Sequence, residues 1–208
     1  MLVNYAKLDS LSGTYGDSFY LLDIKKFEGN FQKFIFEFQK KYTKTKIGYS
    51  YKTNYIPALL KVVNRNGGYA EVVSEMEYDL AIKVGVSPEN IIVNGPYKDK
   101  NALKKYLLNG SNVNIDGYVE ARHVTSLAIE FSSFSFSVGL RCNFEIQENS
   151  ISRFGFDISD DNFFDLLANL KAIKNVELNG LHCHFPDRSL ESFVSRTERI
   201  LKLSDQIF

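Results

Sequence analysis

The stretch from Lys46 to Val73, KIGYSYKTNYIPALLKVVNRNGGYAEVV, contains a complete strand–helix–strand unit and decides the fold class. Apolar and β-branched residues predict short strands at Lys46–Tyr51 and Tyr69–Val73. Between them, Pro57 begins a helical pattern and Gly67-Gly68 ends it, the usual placement of proline and glycine at helix termini. A helix that connects two strands in this way predicts that the strands are parallel.

The same alternation continues along the chain. Further strands are predicted at Ile91–Asn94, Asn112–Ile115, Phe136–Cys142 and Val176–Cys183, and a helical pattern follows each one. A spacing of roughly 22 residues fits either an open doubly wound sheet or a closed (β/α) barrel. About six strand–helix units are present, whereas a closed barrel of this type has eight. The chain is then either a fragment of a barrel or a six-stranded arrangement completed by a partner chain.

A different segment precedes the first of these units. Residues Ser18–Asp23 predict a strand, and Ile24–Tyr42 predict an amphipathic helix with phenylalanines along one face. We therefore divide the chain into an N-terminal strand and helix, residues 1–45, and the barrel units, residues 46–208.

Composition limits the classes of function. The chain has 208 residues, with 25 basic and 25 acidic side chains, so its formal charge predicts no long-range attraction to nucleic acid or to an anionic membrane. No stretch approaches the roughly 20 apolar residues of a membrane span, and none resembles a signal peptide. Two cysteines, Cys142 and Cys183, provide no disulfide framework. We expect a cytoplasmic protein.

Lys52 is the first candidate for chemistry. It follows an apolar strand and would lie at the carboxyl end of a parallel barrel, where barrel enzymes have their active sites. A neutral amine at such a place can form a Schiff base with an aldehyde. Taken alone, the residue is more typical of a solvated lysine at a strand end.

Two histidines are the second candidate. His182 and His184 end a strand and point to the same face, because side chains alternate along a strand. They could pack on a planar cofactor, transfer protons, form a hydrogen-bonded pair in the core or bind a metal. Only His123 and Cys142 could add further nitrogen or sulfur ligands, so we expect no metal site.

Three more residues are candidates for binding. Glu71 lies in the second predicted barrel strand, and an inward-facing acid needs a partner such as Lys52 or a cofactor. Ser74 favours a helix cap with Glu77, the capping-box pattern. Arg141, at a strand end, suits either a phosphate or carboxylate ligand or a salt bridge on the barrel rim.

In order and spacing, these segments resemble the pyridoxal-phosphate decarboxylases that include diaminopimelate, ornithine and arginine decarboxylases. The resemblance extends from about Tyr15 to about Phe193. Its motifs are Ser18–Asp23, Tyr51-Lys52-Thr53-Asn54, Glu71–Glu77, Asn94-Gly95-Pro96-Tyr97-Lys98, Asn114-Ile115-Asp116, Arg153-Phe154-Gly155 and Gly180-Leu181-His182-Cys183-His184.

The resemblance implies a TIM-like (β/α) barrel of the alanine-racemase type, pyridoxal 5'-phosphate as cofactor and an amino acid as the small-molecule substrate. By resemblance, Lys52 forms the Schiff base and His184 stacks on the pyridine ring, and these two are the expected catalytic residues. The candidate cofactor-binding residues are Lys52, Glu71, Ser74, Arg141, His184 and Arg188. The expected reaction is decarboxylation of a diaminopimelate-like or basic amino acid. The full-length form is expected to be a homodimer.

Departures from the family pattern qualify this hypothesis. Where the family has Ile-Gly-Ser, with a serine that contacts the phosphate, this chain has Phe185-Pro186-Asp187, and a carboxylate there repels a phosphate unless Arg188 compensates. The family's Gly-Gly-Gly loop, its Glu-Pro-Gly-Arg segment and its C-terminal β-domain have no counterpart. We therefore expect a fragment with weak activity alone. An amino-acid racemase, a non-catalytic pyridoxal-phosphate-binding barrel and an inactive assembly partner are the alternatives.

Overall fold

The structure is a computed structural model that describes residues 4–146 and 152–208. Its strands are β1 (Gly48–Ser50), β2 (Tyr69–Val72), β3 (Ile91–Val93), β4 (Asn112–Ile115), β5 (Phe136–Asn143), β6 (Phe156–Asp157) and β7 (Val176–His182). Its α-helices are α1 (Tyr5–Tyr15), α2 (Ile24–Gln39), α3 (Pro57–Arg65), α4 (Glu75–Lys83), α5 (Lys100–Leu108), α6 (Tyr118–Glu130), α7 (Asp161–Lys171) and α8 (Leu190–Ile207).

All strand pairs are parallel, which confirms the (β/α) prediction. Strands β1 to β5 are neighbours in chain order, and both β6 and β7 pair with β5. Strand β6 pairs with the carboxyl end of β5, where Cys142 is opposite Phe156. Strand β7 pairs with the preceding part, from Phe136 opposite Val176 to Arg141 opposite His182. All carboxyl ends therefore meet at one edge of the sheet.

The two faces of the sheet differ in polarity. On the helix-covered face, strand residues such as Val72, Val113 and Val138 are fully buried and pack in one hydrophobic core with the helices. The alternating residues on the inner, concave face are only partly buried and include Asn112 and Asn114. Burial of the apolar face stabilises the layers, since apolar surface contributes about 25 cal/mol per Å² removed from water. The inner face is free to carry polar chemistry.

Turn chemistry agrees with the sequence at several points. Ser74 caps α4, and Asp99 caps α5 by accepting the backbone N–H groups of Asn101 and Ala102. Gly85 follows α4 with φ of 90°, a left-handed conformation that favours glycine. Gly95 meets a second requirement, because a Cβ atom there would lie 2.5 Å from the carbonyl oxygen of Val73. The turn after β3 is thus drawn close to the end of β2.

One expectation about elements is wrong, and two elements were not predicted. Residues Ser18–Asp23 form no strand, because no neighbouring strand lies beside them in the described part of the chain to complete a ladder. Helix α1 was not predicted: its sequence is polar and it buries no residue, and the only local signal is Asn4, which caps it through Lys7 N–H. Strand β6 has two residues, too few for a sequence pattern.

Candidate functional site

A cavity of about 550 Å³ lies at the carboxyl ends of the strands. It brings together Lys52, Glu71, Arg141, His184 and Arg188, five of the six residues that the sequence proposed for cofactor binding. The other residues of its wall are Ser50, Thr53, Val73, Asn94, Pro96, Phe154 and His182. The inner face of the sheet and the loops after the strands therefore form one pocket with many polar groups.

Lys52 lies in a tight turn directly after β1. The Thr53 backbone N–H and hydroxyl both donate to the carbonyl oxygen of Ser50, at 3.3 and 2.7 Å. The Tyr51 side chain beside it is 1% exposed, and burial raises the pKa of its phenol to about 12. Lys52 itself is exposed and has no hydrogen bond or ion pair within residues 4–146 and 152–208. A rigid turn thus presents an uncommitted primary amine at the cavity.

The two histidines lie across the cavity, at the end of β7. His182 is partly buried, and desolvation lowers the pKa of its imidazole to about 3, helped by the cations of Arg141 and Lys52. His184 is more exposed, and partial burial lowers the pKa of its imidazole below 6.5, with further lowering by Lys52 and Arg141. Both rings are therefore neutral at neutral pH. No group of three metal-ligating side chains occurs among the described residues.

Arg141 forms a salt bridge, one of the two roles that the sequence left open, and it also lines the cavity. Its side chain is 6% exposed and lines the cavity, yet its Nη1 lies 2.7 Å from Asp116 Oδ1 in an ion pair. The second carboxylate oxygen of Asp116 accepts the Gly155 N–H at 3.1 Å. The guanidinium also lies 4.8 Å from the centre of the Phe154 ring. Arg141 is thus held rigidly in the cavity wall with part of its charge compensated.

A second buried ion pair, which the sequence did not predict, lies next to the first. Lys98 Nζ is 2.9 Å from Glu120 Oε2, and both side chains are less than a tenth exposed. Glu120 also accepts the backbone N–H groups of Lys98 and Asp116, at 2.7 and 2.8 Å. Desolvation lowers the pKa of Lys98 and raises the pKa of Glu120. These three contacts join the loops after β3 and β4, and in the sequence only the Gly-Pro-Tyr-Lys turn indicated them.

Ser74 is the candidate that does not line the cavity. Its hydroxyl oxygen accepts the Glu77 N–H at 3.3 Å, which is the capping role that the sequence favoured. Glu77 accepts the N–H of Val73 at 2.7 Å, one residue before the position expected for a capping box. The structure thus uses both side chains to begin α4, and it offers no contact between Ser74 and a ligand in the cavity.

The unusual Asp187-Arg188 pair is also explained by the structure. Both carboxylate oxygens of Asp187 accept hydrogen bonds from Ser189, one from its N–H and one from its hydroxyl, each at 2.9 Å. These bonds lower the pKa of the Asp187 carboxyl. The neighbouring Arg188 side chain lines the cavity, whereas Asp187 does not. The carboxylate is therefore used at the start of α8, and the cation faces the site.

The cavity also contains polar atoms that lack partners. Within the described residues, Ser50 Oγ and His182 Nδ1 are buried without a hydrogen bond. Buried polar atoms usually have a partner, and leaving one unpaired costs about 1–3 kcal/mol. Two unpaired atoms, a free amine and a cationic guanidinium around one pocket fit a polar, anionic ligand with an aldehyde group.

The pKa of His182 has a consequence for stability. In the unfolded chain an imidazole titrates near 6.5, whereas in the fold His182 stays neutral down to about pH 3. Between these values the unfolded chain binds the extra proton, so the free energy of unfolding falls as the pH falls. We expect the wild type to lose roughly 1–2 kcal/mol more than His182→Gln between pH 7 and pH 5, measured by urea denaturation. Equal losses for both chains would contradict the assignment.

The chain is similar in sequence and in structure to known decarboxylases. It is 24% identical to diaminopimelate decarboxylase of Aquifex aeolicus, an alignment that covers all of this chain and 50% of that protein. The structure of diaminopimelate decarboxylase from Helicobacter pylori, determined with L-lysine, superposes with a TM-score of 0.85 at 20% identity, covering 96% of this chain and 52% of that one. Lysine decarboxylase from Selenomonas ruminantium superposes with a TM-score of 0.72 at 18% identity, covering 99% of this chain and 54% of that one.

The structural likenesses show that the fold is the barrel of these decarboxylases. The chain spans about half the length of the curated relatives that it matches. The family model described as "Pyridoxal-dependent decarboxylase, pyridoxal binding domain" matches residues 28–207. Because this match covers most of the 208 residues, the chain belongs to the family of pyridoxal-dependent decarboxylases and contains their pyridoxal binding domain.

Proposed function

We propose that this chain forms the cofactor-binding part of a pyridoxal-phosphate-dependent decarboxylase that acts on a diaminopimelate-like or other basic amino acid. One observation carries the proposal: the free Lys52 amine and the neutral imidazoles of His182 and His184 line the same cavity. The identity of the curated relatives supports the substrate class, since they are diaminopimelate decarboxylases. The L-lysine bound by the Helicobacter pylori enzyme supports it as well.

In this proposal several cavity residues have defined roles. Lys52 holds the cofactor covalently through Nζ, and His184 stacks on its ring. Ser50 and His182 also line the cavity, and within the described residues each carries a buried polar atom without a hydrogen bond. Glu71 contributes a carboxylate that also lines the cavity. Ser74 caps α4 and does not line the cavity, so we propose no binding role for it.

When bound, pyridoxal phosphate supplies an electron sink for the pair left behind as CO2 departs. The contribution of the protein is to hold the ring in one plane and to exclude competing reactions. The neutral state of His184 suits this task, because a neutral imidazole stacks on a cationic ring without charge repulsion. The ion pair between Arg141 and Asp116 holds the Arg141 side chain rigidly in the cavity wall.

Covalent attachment through Lys52 is the direct test. The chain is incubated with pyridoxal phosphate, reduced with borohydride and digested, and the modified peptide is identified by mass spectrometry. We expect the label on the peptide that contains Lys52, and we expect Lys52→Ala to remove it. Lys61→Ala, at an exposed position of α3, is the matched control and should leave labelling unchanged. Labelling spread over surface lysines in both variants would contradict the assignment.

The reaction class requires a second readout on the same protein. Release of CO2 from a panel of amino acids, strongest with diaminopimelate or lysine and lost in Lys52→Ala, is expected for the decarboxylase. Exchange of the α-proton in D2O without CO2 release would identify the racemase alternative. Labelling of Lys52 with neither reaction would identify a barrel that binds the cofactor without catalysis.

Arg188 is proposed as the contact for the cofactor phosphate, in place of the serine found in the family. A charge-assisted hydrogen bond is worth about 1.5–3 kcal/mol, so Arg188→Gln should weaken binding of pyridoxal phosphate about 10- to 100-fold. Binding of pyridoxal, which has no phosphate, should hardly change. Both affinities can be measured by fluorescence titration, with Arg122→Gln on the exposed surface of α6 as control. Equal weakening for the two ligands would refute a phosphate contact.

A homodimer is the assembly that we propose for the protein. Exposed apolar side chains occur in the loops after the strands and in the first turns of the helices that follow, among them Tyr55, Tyr97, Val119 and Leu190. Large exposed apolar patches mark interaction surfaces. Sedimentation analysis should give a dimer that Tyr97→Glu dissociates, whereas Ile129→Glu, at an exposed position of α6, should leave it intact. A monomer at all concentrations would contradict the proposal.

The hydropathy of the helices and the state of the two cysteines are two further properties of the chain. None of the helices in the described ranges combines the length and the hydropathy of a membrane-spanning segment. Both cysteines are free thiols, and burial raises the pKa of each, which keeps them protonated. Free, protonated thiols fit a reducing compartment, and we propose the cytoplasm.

A further inference from the structure

A row of side chains on the concave face leads to the Glu71 carboxylate. Asn94 follows β3 directly, and its backbone N–H donates to the carbonyl oxygen of Val72 at 2.8 Å. Val93 is opposite Val113, so Asn94 lies beside Asn114 on the neighbouring strand. Asn114 is in turn opposite Gly139 on β5. Three adjacent strands thus contribute one position each to the row.

The hydrogen bonds in this row have a single direction. Asn114 Nδ2 donates to Asn94 Oδ1 at 2.5 Å, which leaves the Nδ2 group of Asn94 to face the other way. Asn94 Nδ2 then donates to Glu71 Oε1 at 3.2 Å. All three side chains are partly buried, so water competes only weakly for these bonds. The first amide therefore orients the second, and the second holds the carboxylate.

Gly139 makes this arrangement possible. A Cβ atom at position 139 would lie 1.9 Å from Asn114 Oδ1, a distance that no side chain can occupy. The absence of a side chain on β5 thus leaves the space that the Asn114 amide fills. Neither asparagine lies at a position that the family resemblance assigned to the cofactor, and neither is explained by the helix-facing core.

We propose that Asn94 and Asn114 are positioning residues that hold the Glu71 carboxylate against the cavity, facing the side chains of Lys52 and His184. The role of this carboxylate in catalysis rests on the proposed function, in which it would balance the positive charge of the cofactor site. The structural claim is independent of the cofactor and can be tested on the 208-residue chain without it.

The histidines can report the position of the Glu71 carboxylate. The chain has three, and both His182 and His184 line the cavity with Glu71. The Glu71 carboxylate raises the pKa of the His184 imidazole. The cations of Lys52, Arg141 and Arg196 lower the pKa of the same imidazole, and Arg188 also lines the cavity. Among these groups only Glu71 raises the pKa of His184. Moving its carboxylate away should therefore lower that pKa. His123 lies in a different pocket and serves as an internal reference.

The experiment is an NMR titration of the three imidazoles in a set of variants. Glu71→Gln should lower the pKa of His184. Asn94→Leu and Asn114→Leu, which have similar volume but cannot donate, should lower it in the same direction, while the titration of His123 stays unchanged. Asn179→Ala is the matched control: Asn179 lies on the same concave face but binds Asn112, away from the cavity, so it should leave His184 unchanged.

A double variant separates positioning from a direct effect. In a Glu71→Gln background, Asn94→Leu should produce no further shift of His184, because the carboxylate through which it acts is gone. A shift of the same size in both backgrounds would show that Asn94 acts on the imidazole directly, and the proposal would be wrong. It would be equally wrong if Glu71→Gln lowered the pKa of His184 but both asparagine variants retained the wild-type value.

The outcomes distinguish this inference from the proposed function. If the titrations show that the asparagines position Glu71 but borohydride traps no label at Lys52, the hydrogen-bonded row is supported and cofactor attachment is refuted. A label at Lys52 with an unshifted His184 in Glu71→Gln would keep the cofactor site and refute the orientation of Glu71. Unchanged resonances of His123 in each variant report that the fold is retained.

Discussion

Parallel pairing of the strands is the constraint on which the rest of the structure depends. Because every pair is parallel, the carboxyl ends of β1 to β5 and of β7 lie along one edge, and residues far apart in the chain meet there. The register sets the details: Arg141 on β5 is opposite His182 on β7, which brings the guanidinium and the imidazole to the same wall. A shift of one residue would turn these side chains toward the helices.

Charge at this edge is arranged in two ways. Deep between the loops, Lys98 pairs with Glu120 and Arg141 with Asp116, and these pairs join the loops after β3 and β4 and hold the position of Arg141. Buried pairs contribute little net stability, since desolvation offsets most of the attraction, but removing one partner is costly. At the cavity, in contrast, the Lys52 amine and the Arg188 guanidinium form no ion pair with any residue in 4–146 and 152–208. The rigid wall and the uncommitted cations together suit an anionic, reactive ligand.

The Asp187-Arg188 pair illustrates how local capping alters a site. In the sequence, the aspartate stands where the family has a phosphate-binding serine, which argues against phosphate binding. In the fold, the carboxylate is bonded to Ser189 at the start of α8, and only the arginine lines the cavity. In this departure from the family pattern, the side chain that reaches the cavity wall is the positively charged Arg188.

The sequence alone determined the (β/α) alternation, six of the seven strands and the place of Lys52 and the two histidines at strand ends, because strand and helix periods and turn residues are local signals. It also predicted the Ser74 cap and the two possible roles of Arg141. Only the tertiary structure decided that Ser74 lies outside the cavity, that Arg141 is paired with Asp116 and that Glu71 is held by Asn94 and Asn114. Those contacts join residues about 20 or more positions apart, or depend on the direction of a side chain, so the register of neighbouring strands sets them. Residues 18–23 failed as a strand for the same reason, since a strand exists only where another backbone lies beside it.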